Sequence, residues 1–172
     1  MSFLVIIRGP LGVGKSVVSR RISEIFRAEY ISIDDLLDEH GLWNTGELSE
    51  FLAANRFAIE VAGTALRERR PVIVDGNFYW EAQIEDLLAH LKVPSFVFTL
   101  AAPLEVCIQR DAGRRLPHGA ESARAVYAKA TEFAYGSTVD ASGTVETVVR
   151  DLLSRLGREG HPPPPDPSRS WS

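Results

Sequence analysis

Eight residues near the start of the chain, Gly9-Pro10-Leu11-Gly12-Val13-Gly14-Lys15-Ser16, limit what it can fold into more than anything else in it. They match G-x-x-x-x-G-K-[ST] and lie between an apolar run, Phe3 to Ile7, and helically spaced apolar residues at Val18, Ile22, Ile25 and Phe26. The pattern requires that setting of buried strand, tight turn and helix. The glycines let successive backbone N–H groups converge on phosphate oxygens, and the following helix points its positive end at them. The Lys15 ammonium is expected to reach the β- and γ-phosphates and the Ser16 hydroxyl to hold Mg²⁺. Gly9, Leu11, Gly12, Val13, Gly14, Lys15, Ser16 and Val17 together form the expected nucleotide-contacting segment. The alternative, a glycine-rich turn with an incidental Lys-Ser, does not explain both flanks.

Further along, short apolar runs alternate with helix-length segments. The runs are Tyr30 to Ile33, Pro71 to Val74, Ser95 to Leu100 and, more weakly, Ser137 to Val139. Continuous rather than alternating hydrophobicity indicates strands buried on both faces, so the expectation is an α/β three-layer fold with a five-stranded parallel sheet covered by helices. Leu48, Phe51, Leu52, Asn55, Ile59, Ala62 and Leu66 mark a long core-facing helix, and Val145, Val148, Val149, Leu152, Leu153 and Leu156 a closing one. A helix from Glu81 is closed by Lys92-Val93-Pro94, and Pro103 is expected in the first turn of the helix Leu104 to Arg110. Residues 1–157 read as one domain, and 158–172, with Pro162 to Pro165, as a disordered tail.

Composition narrows the function classes. With 19 Lys plus Arg against 23 Asp plus Glu, the net charge of −4 lacks the surplus that drives sequence-independent nucleic-acid binding. No apolar run approaches the roughly 18 residues of a membrane span. The single cysteine, Cys107, sits among apolar neighbours and reads as a buried structural thiol, and the expected compartment is the cytoplasm. No His/Cys spacing suggests zinc, and His40 and His118 read as surface polar residues.

Ligands of open α/β sheets bind outside the carboxyl ends of the strands, and two such ends carry acids. After the second run come Asp34 and Asp35. Asp34 is favoured as general base toward an attacking hydroxyl, with Asp35 in the first turn of a following helix; the alternative is helix capping by either. After the third run, Asp75 is expected to order Mg²⁺ through water, and the alternative is an Asp-Gly turn with Gly76. The segment around Arg110, Arg114 and Arg115 reads as a short lid, about 111–119, whose arginines neutralise charge during phosphoryl transfer or only complement a helix terminus. Trp43, Asn77, Phe78 and Trp80, with Asp34 and Asp35, are expected to line an acceptor pocket, unless the rings merely fill the core.

The cradle Gly9 to Ser16, Asp34-Asp35, Asp75-Gly76-Asn77 and the arginines from Arg110 to Arg115 occur in an order that resembles the P-loop kinases of small molecules and nucleotides. The layout is especially similar to the polynucleotide kinase, chloramphenicol phosphotransferase and zeta toxin group. That resemblance implies ATP and Mg²⁺ as cofactors, Asp34 as catalytic base, and Arg110 or Arg114 as the arginine on the transferring phosphoryl group. It also makes Arg110 a candidate to stack on adenine. Where polynucleotide kinases carry a phosphate-contacting arginine three residues after the base, this chain has Leu37, which favours a small-molecule hydroxyl acceptor over a polynucleotide 5′-hydroxyl. A regulatory ATPase without acceptor is the third reading. There is no Asn-Lys-x-Asp guanine motif, and Asp140-Ala141-Ser142-Gly143 is expected to form the loop against the base. A monomer or homodimer is expected.

Overall fold

The computed structural model describes residues 2–158. Its elements run β1 (Leu4–Arg8), α1 (Lys15–Phe26), β2 (Glu29–Ser32), α2 (Ile33–Glu39), α3 (Leu48–Arg67), β3 (Val72–Gly76), α4 (Glu81–Leu91), β4 (Ser95–Ala101), α5 (Leu104–Ala112), α6 (Ala120–Ala130), β5 (Ser137–Asp140) and α7 (Val145–Arg158). The strands form one five-stranded sheet in the order β2-β3-β1-β4-β5, and every pairing is parallel.

Successive residues of β1 point to opposite faces, and both faces are buried. Phe3, Val5 and Ile7 join Val18, Ile22, Val148, Leu152 and Leu156 in the core on the α1 and α7 side. Leu4 and Ile6 join Phe51, Ala54, Ala58, Ala62 and Ile84 on the α3 and α4 side. Alanines on α3 let that helix lie close to the sheet. Each large side chain removed from water in these layers contributes roughly 1.5–3 kcal/mol before ordering costs.

Several boundaries differ from the sequence expectation. Ile33 opens α2 instead of closing β2. The Ser32 side chain caps this helix by accepting from the Asp35 amide at 3.2 Å, so neither aspartate is needed as the cap. Pro103 is extended (φ −56°, ψ 147°) and precedes the helix as its N-cap instead of lying in its first turn. Helix α6 has no counterpart in the sequence reading, because its buried face rests on the small residues Ala123 and Ala130. Arg158, expected to open the tail, ends α7; Met1 and the rest of the tail, 159–172, lie outside the described residues. Among the described residues, no helix is long and apolar enough to cross a membrane.

Register brings the chemistry to one end of the sheet. Ile7 is opposite Asp75, and Asp75 is opposite Ser32, so the turn after β1, the end of β3 and the start of α2 converge.

Candidate active site

The cradle is built from backbone. Gly12 is left-handed (φ +80°), and a Cβ there would collide with the Cys107 carbonyl oxygen of α5, so only glycine allows this turn to pack so closely. Cys107 itself is buried among apolar side chains. Helix α1 starts from Gly14 with no side-chain cap and no acidic residue in its first turn, leaving its amide donors and positive end for an anion. The buried Lys15 ammonium donates to the Pro10 carbonyl at 3.0 Å. Burial pulls its pKa down, and the carboxylates of Asp34 and Asp75 oppose that pull.

Both acids lie in Lys15's field. Burial raises the Asp34 pKa and Lys15 lowers it; one Asp34 oxygen, Oδ1, is inaccessible and has no hydrogen-bond partner. Asp75 is likewise raised by burial and lowered by Lys15, and its Oδ2 accepts from the Tyr30 hydroxyl at 2.9 Å. Asp35 is exposed on the outer side of α2. Among the described residues no group of three or more His, Cys, Asp or Glu is arranged to hold a metal unaided. The hard oxygen donors Ser16 and Asp75 instead fit Mg²⁺ brought in on phosphates, which takes one or two protein ligands and keeps several waters.

Beside the cradle lies a cleft of about 400 Å³ walled by Val13, Val17, Val18, Arg110, Gly143 and Val145, among others. Val17 is 58% exposed and faces this cleft, whereas Leu11 is half-buried and outside its wall. The Arg110 guanidinium donates to the carbonyls of Val13 (3.1 Å), Ala141 (2.7 Å), Ser142 (3.1 Å) and Gly143 (2.8 Å). In this structure the guanidinium, expected on the transferring phosphoryl group or against adenine, is engaged by loop carbonyls. With four carbonyl acceptors, Arg110 ties the loop after β5 to the cradle and forms a wall of the cleft. Arg114 also lines the cleft, and its charge acts on Lys15. The segment expected to form a lid is held by buried Asp111, which accepts from the His118 and Gly119 amides at 3.0 Å each and meets His118 Nδ1 at 3.0 Å. His118 is exposed, and His40 stacks on Phe57.

The opposite side is built from side chains. Phe51, at the start of α3, meets Trp43, Tyr79 and Trp80 edge-on, with ring centroids 5.7, 5.6 and 5.1 Å away. Glu50 holds the Trp43 loop by accepting from the amides of Asn44, Thr45 and Gly46. Trp43 is 47% exposed at the rim and Trp80 is half-buried. Buried Asn77 donates to the Tyr79 hydroxyl at 3.0 Å and keeps an unpartnered Oδ1. Asp34's charge reaches Tyr79, whose pKa is pushed up to about 12, first by burial. Phe78 differs from expectation: with φ 50° it turns fully into the core and presents no surface to an acceptor.

Three contributors escaped sequence reasoning. Tyr30 reaches Asp75 from the neighbouring strand. Lys129 of α6 lies 4.2 Å over the Trp80 ring and 4.7 Å over Tyr79. Arg8, fully buried just before the cradle, donates to Thr99 Oγ1 and to the carbonyls of Phe78, Ala130 and Phe133. Burial lowers its pKa to about 10. A charged residue closing an otherwise apolar strand is the one signal of Arg8 in the sequence.

The parallel sheet, the glycine cradle at its central strand and the acids at the neighbouring strand ends put the chain in the P-loop class. Residues 4–134 match the family described as AAA domain, and the chain belongs to it. No curated protein matches by sequence. Among solved structures, a sugar kinase from Janibacter sp. HTCC2649 superposes with TM-score 0.74 at 14% identity, covering 91% of this chain and 95% of that one. A gluconokinase from Sinorhizobium meliloti 1021 does so with TM-score 0.66 at 16% identity, covering 91% and 97%. The tunicamycin resistance protein of Deinococcus radiodurans gives TM-score 0.66 at 19% identity, covering 96% and 100%. At such identities the likeness is one of fold.

Proposed function

We propose that this protein moves the γ-phosphoryl group of Mg²⁺·ATP to a hydroxyl of a small-molecule acceptor, with Asp34 as general base. The observation that carries the reading is the half-buried Asp34 carboxylate in the field of Lys15, its Oδ1 sealed and without a partner and its Oδ2 left for the acceptor hydroxyl. A base must be ionised yet avid for a proton, and burial opposed by one cation produces that balance. In the proposed reaction Asp34 takes the hydroxyl proton as the acceptor oxygen attacks the γ-phosphorus, and the bond to the β-bridging oxygen breaks to release ADP. Lys15 and the cradle amides hold phosphate charge through the transfer, and Arg114 adds to that field. Bound Mg²⁺ supplies further neutralisation of phosphate oxygens, with Ser16 and Asp75 as the residues to hold it. Buried Asn77 orients the wall through its bond to the Tyr79 hydroxyl, and Trp43, Tyr79 and Trp80 supply apolar surfaces that keep water away.

Support for a small acceptor comes from neighbours of that fold, among them a gluconokinase, a sugar kinase and a shikimate kinase. Leu37 is fully buried in the core, so the position where polynucleotide kinases carry a phosphate-binding arginine faces away from any nucleic acid. The test is transfer of labelled γ-phosphate by wild type and Asp34→Asn, offered separately a mixture of small hydroxyl compounds and a 5′-hydroxyl oligonucleotide. The expected result is label in the small-molecule pool, reduced roughly 10²- to 10⁴-fold by the substitution with ATP affinity retained. Label on the oligonucleotide, or only as free phosphate, overturns the reading.

A further inference from the structure

Tyr30 and Ile73 are register partners on adjacent parallel strands, so their side chains share the sheet face covered by α1. Asp75 lies two residues beyond Ile73 on that face, about 6.5–7 Å along the strand and within reach of a tyrosine side chain. The Tyr30 hydroxyl covers that distance and donates to Asp75 Oδ2 at 2.9 Å. On its outer side the ring is covered by the Arg20 guanidinium of α1, 5.3 Å from the ring centroid. The phenol is thus held from two sides while its hydroxyl points at a carboxylate that would otherwise rotate about its terminal torsion.

We infer that Tyr30 is a positioning residue for the metal side of this site: by occupying Asp75 Oδ2 it fixes the carboxylate plane and leaves Oδ1 as the oxygen that orders Mg²⁺ and its water. The inference rests on Asp75 being the Mg²⁺-ordering residue of the proposed function. A phenol suits this task because it donates without bringing a charge. A lysine or arginine donating to Oδ2 would compete with the cation for the same carboxylate, whereas the phenol donates as a neutral group. Partners that orient ligating carboxylates change metal affinity or activity by roughly 10- to 100-fold when removed.

The decisive measurement is Mg²⁺-dependent binding of ADP by calorimetry, which needs neither acceptor nor turnover. Wild type, Tyr30→Phe, Arg20→Ala and Asp75→Asn are titrated with ADP across a range of Mg²⁺ concentrations and without Mg²⁺. For Tyr30→Phe, the Mg²⁺ concentration giving half the metal-dependent gain in affinity is expected to rise roughly tenfold while metal-free ADP affinity stays unchanged. Arg20→Ala, which uncovers the ring and removes a guanidinium that touches the Tyr30 hydroxyl and acts on Asp75 but keeps that hydroxyl, is expected not to raise the Mg²⁺ concentration needed. An unshifted Mg²⁺ curve in Tyr30→Phe overturns the inference, as does an equal shift in Arg20→Ala, which would trace the effect to packing of the ring. If Asp75→Asn leaves the Mg²⁺ dependence intact, the metal assignment falls and the inference with it. Absence of Mg²⁺-dependent binding in wild type would instead remove the phosphotransferase reading itself. A thermal melt accompanies each variant, and Tyr30→Phe is expected to melt within a few degrees of wild type because only one oxygen is removed.

Discussion

The two halves of the site are made of different material. On the nucleotide side, recognition comes from backbone: glycine-permitted N–H groups, a helix terminus, and loop carbonyls gathered by Arg110. The proposed acceptor side is made of side chains, with Trp43, Asn77, Tyr79, Trp80 and Lys129 arriving from different segments. A backbone site binds what all substrates of a fold class share, and a side-chain site can be rebuilt residue by residue without disturbing the sheet. The two halves should therefore respond differently to substitution.

The largest effect is expected at Gly12. Gly12→Ala forces a side chain into a left-handed position against the Cys107 carbonyl, at about 2–4 kcal/mol of stability, with nucleotide affinity falling on the order of 100-fold. Denaturant melts and calorimetry read both quantities; a normal melt with normal binding would mean that the cradle is not backbone-limited. Arg110→Ala comes next. Losing the clasp on the loop after β5 should raise the ATP KM roughly tenfold with kcat within about twofold, because the interaction is equally present before and during transfer. Steady-state kinetics showing the loss in kcat alone would move Arg110 to the phosphoryl group and erase the contrast between the halves.

Trp80→Ala should act only on the other side, raising the acceptor KM by roughly three- to tenfold while leaving the ATP KM untouched. An ATP effect as large as the acceptor effect would show the two sides to be coupled. The smallest expected effect concerns the balance between activity and stability. Burial raises the Asp34 pKa above its unfolded value, so the ionised carboxylate opposes folding at neutral pH, and that opposition disappears as pH falls through the raised value. Asp34→Asn should raise Tm by about 3 °C at pH 7 and by less at acidic pH. In wild type the same titration should make kcat/KM fall on the acid side at a pH above that of an ordinary carboxylate. Differential scanning fluorimetry and a pH–rate profile check the pair, and a Tm gain that grew on acidification would have the wrong sign.

The contrast also explains how much was legible in the sequence. The cradle, the parallel strands and the strand-end aspartates are contiguous or periodic, so spacing reveals them. Tyr30 was not visible because its partner lies 45 residues away, and strand register cannot be read from one strand. Lys129 was hidden in α6, a helix whose buried face is alanine and leaves little apolar period. Phe78 shows the converse: an aromatic residue after a strand looks the same in sequence whether it turns outward or, as here, into the core. Arg110 was recognised as a site residue, but its direction depended on a loop more than 30 residues further on.

Arg8 carries a consequence for how the molecule comes together. Its charge is sealed by carbonyls of Phe78, Ala130 and Phe133, so β1 is completed only when residues far along the sequence are in place. A nascent chain ending before α6 would hold a stranded cation beneath its own cradle, and leaving a buried charge without its partners costs about 3–5 kcal/mol. The phosphate cradle follows Arg8 directly, so its footing depends on carbonyls more than 120 positions further along the chain.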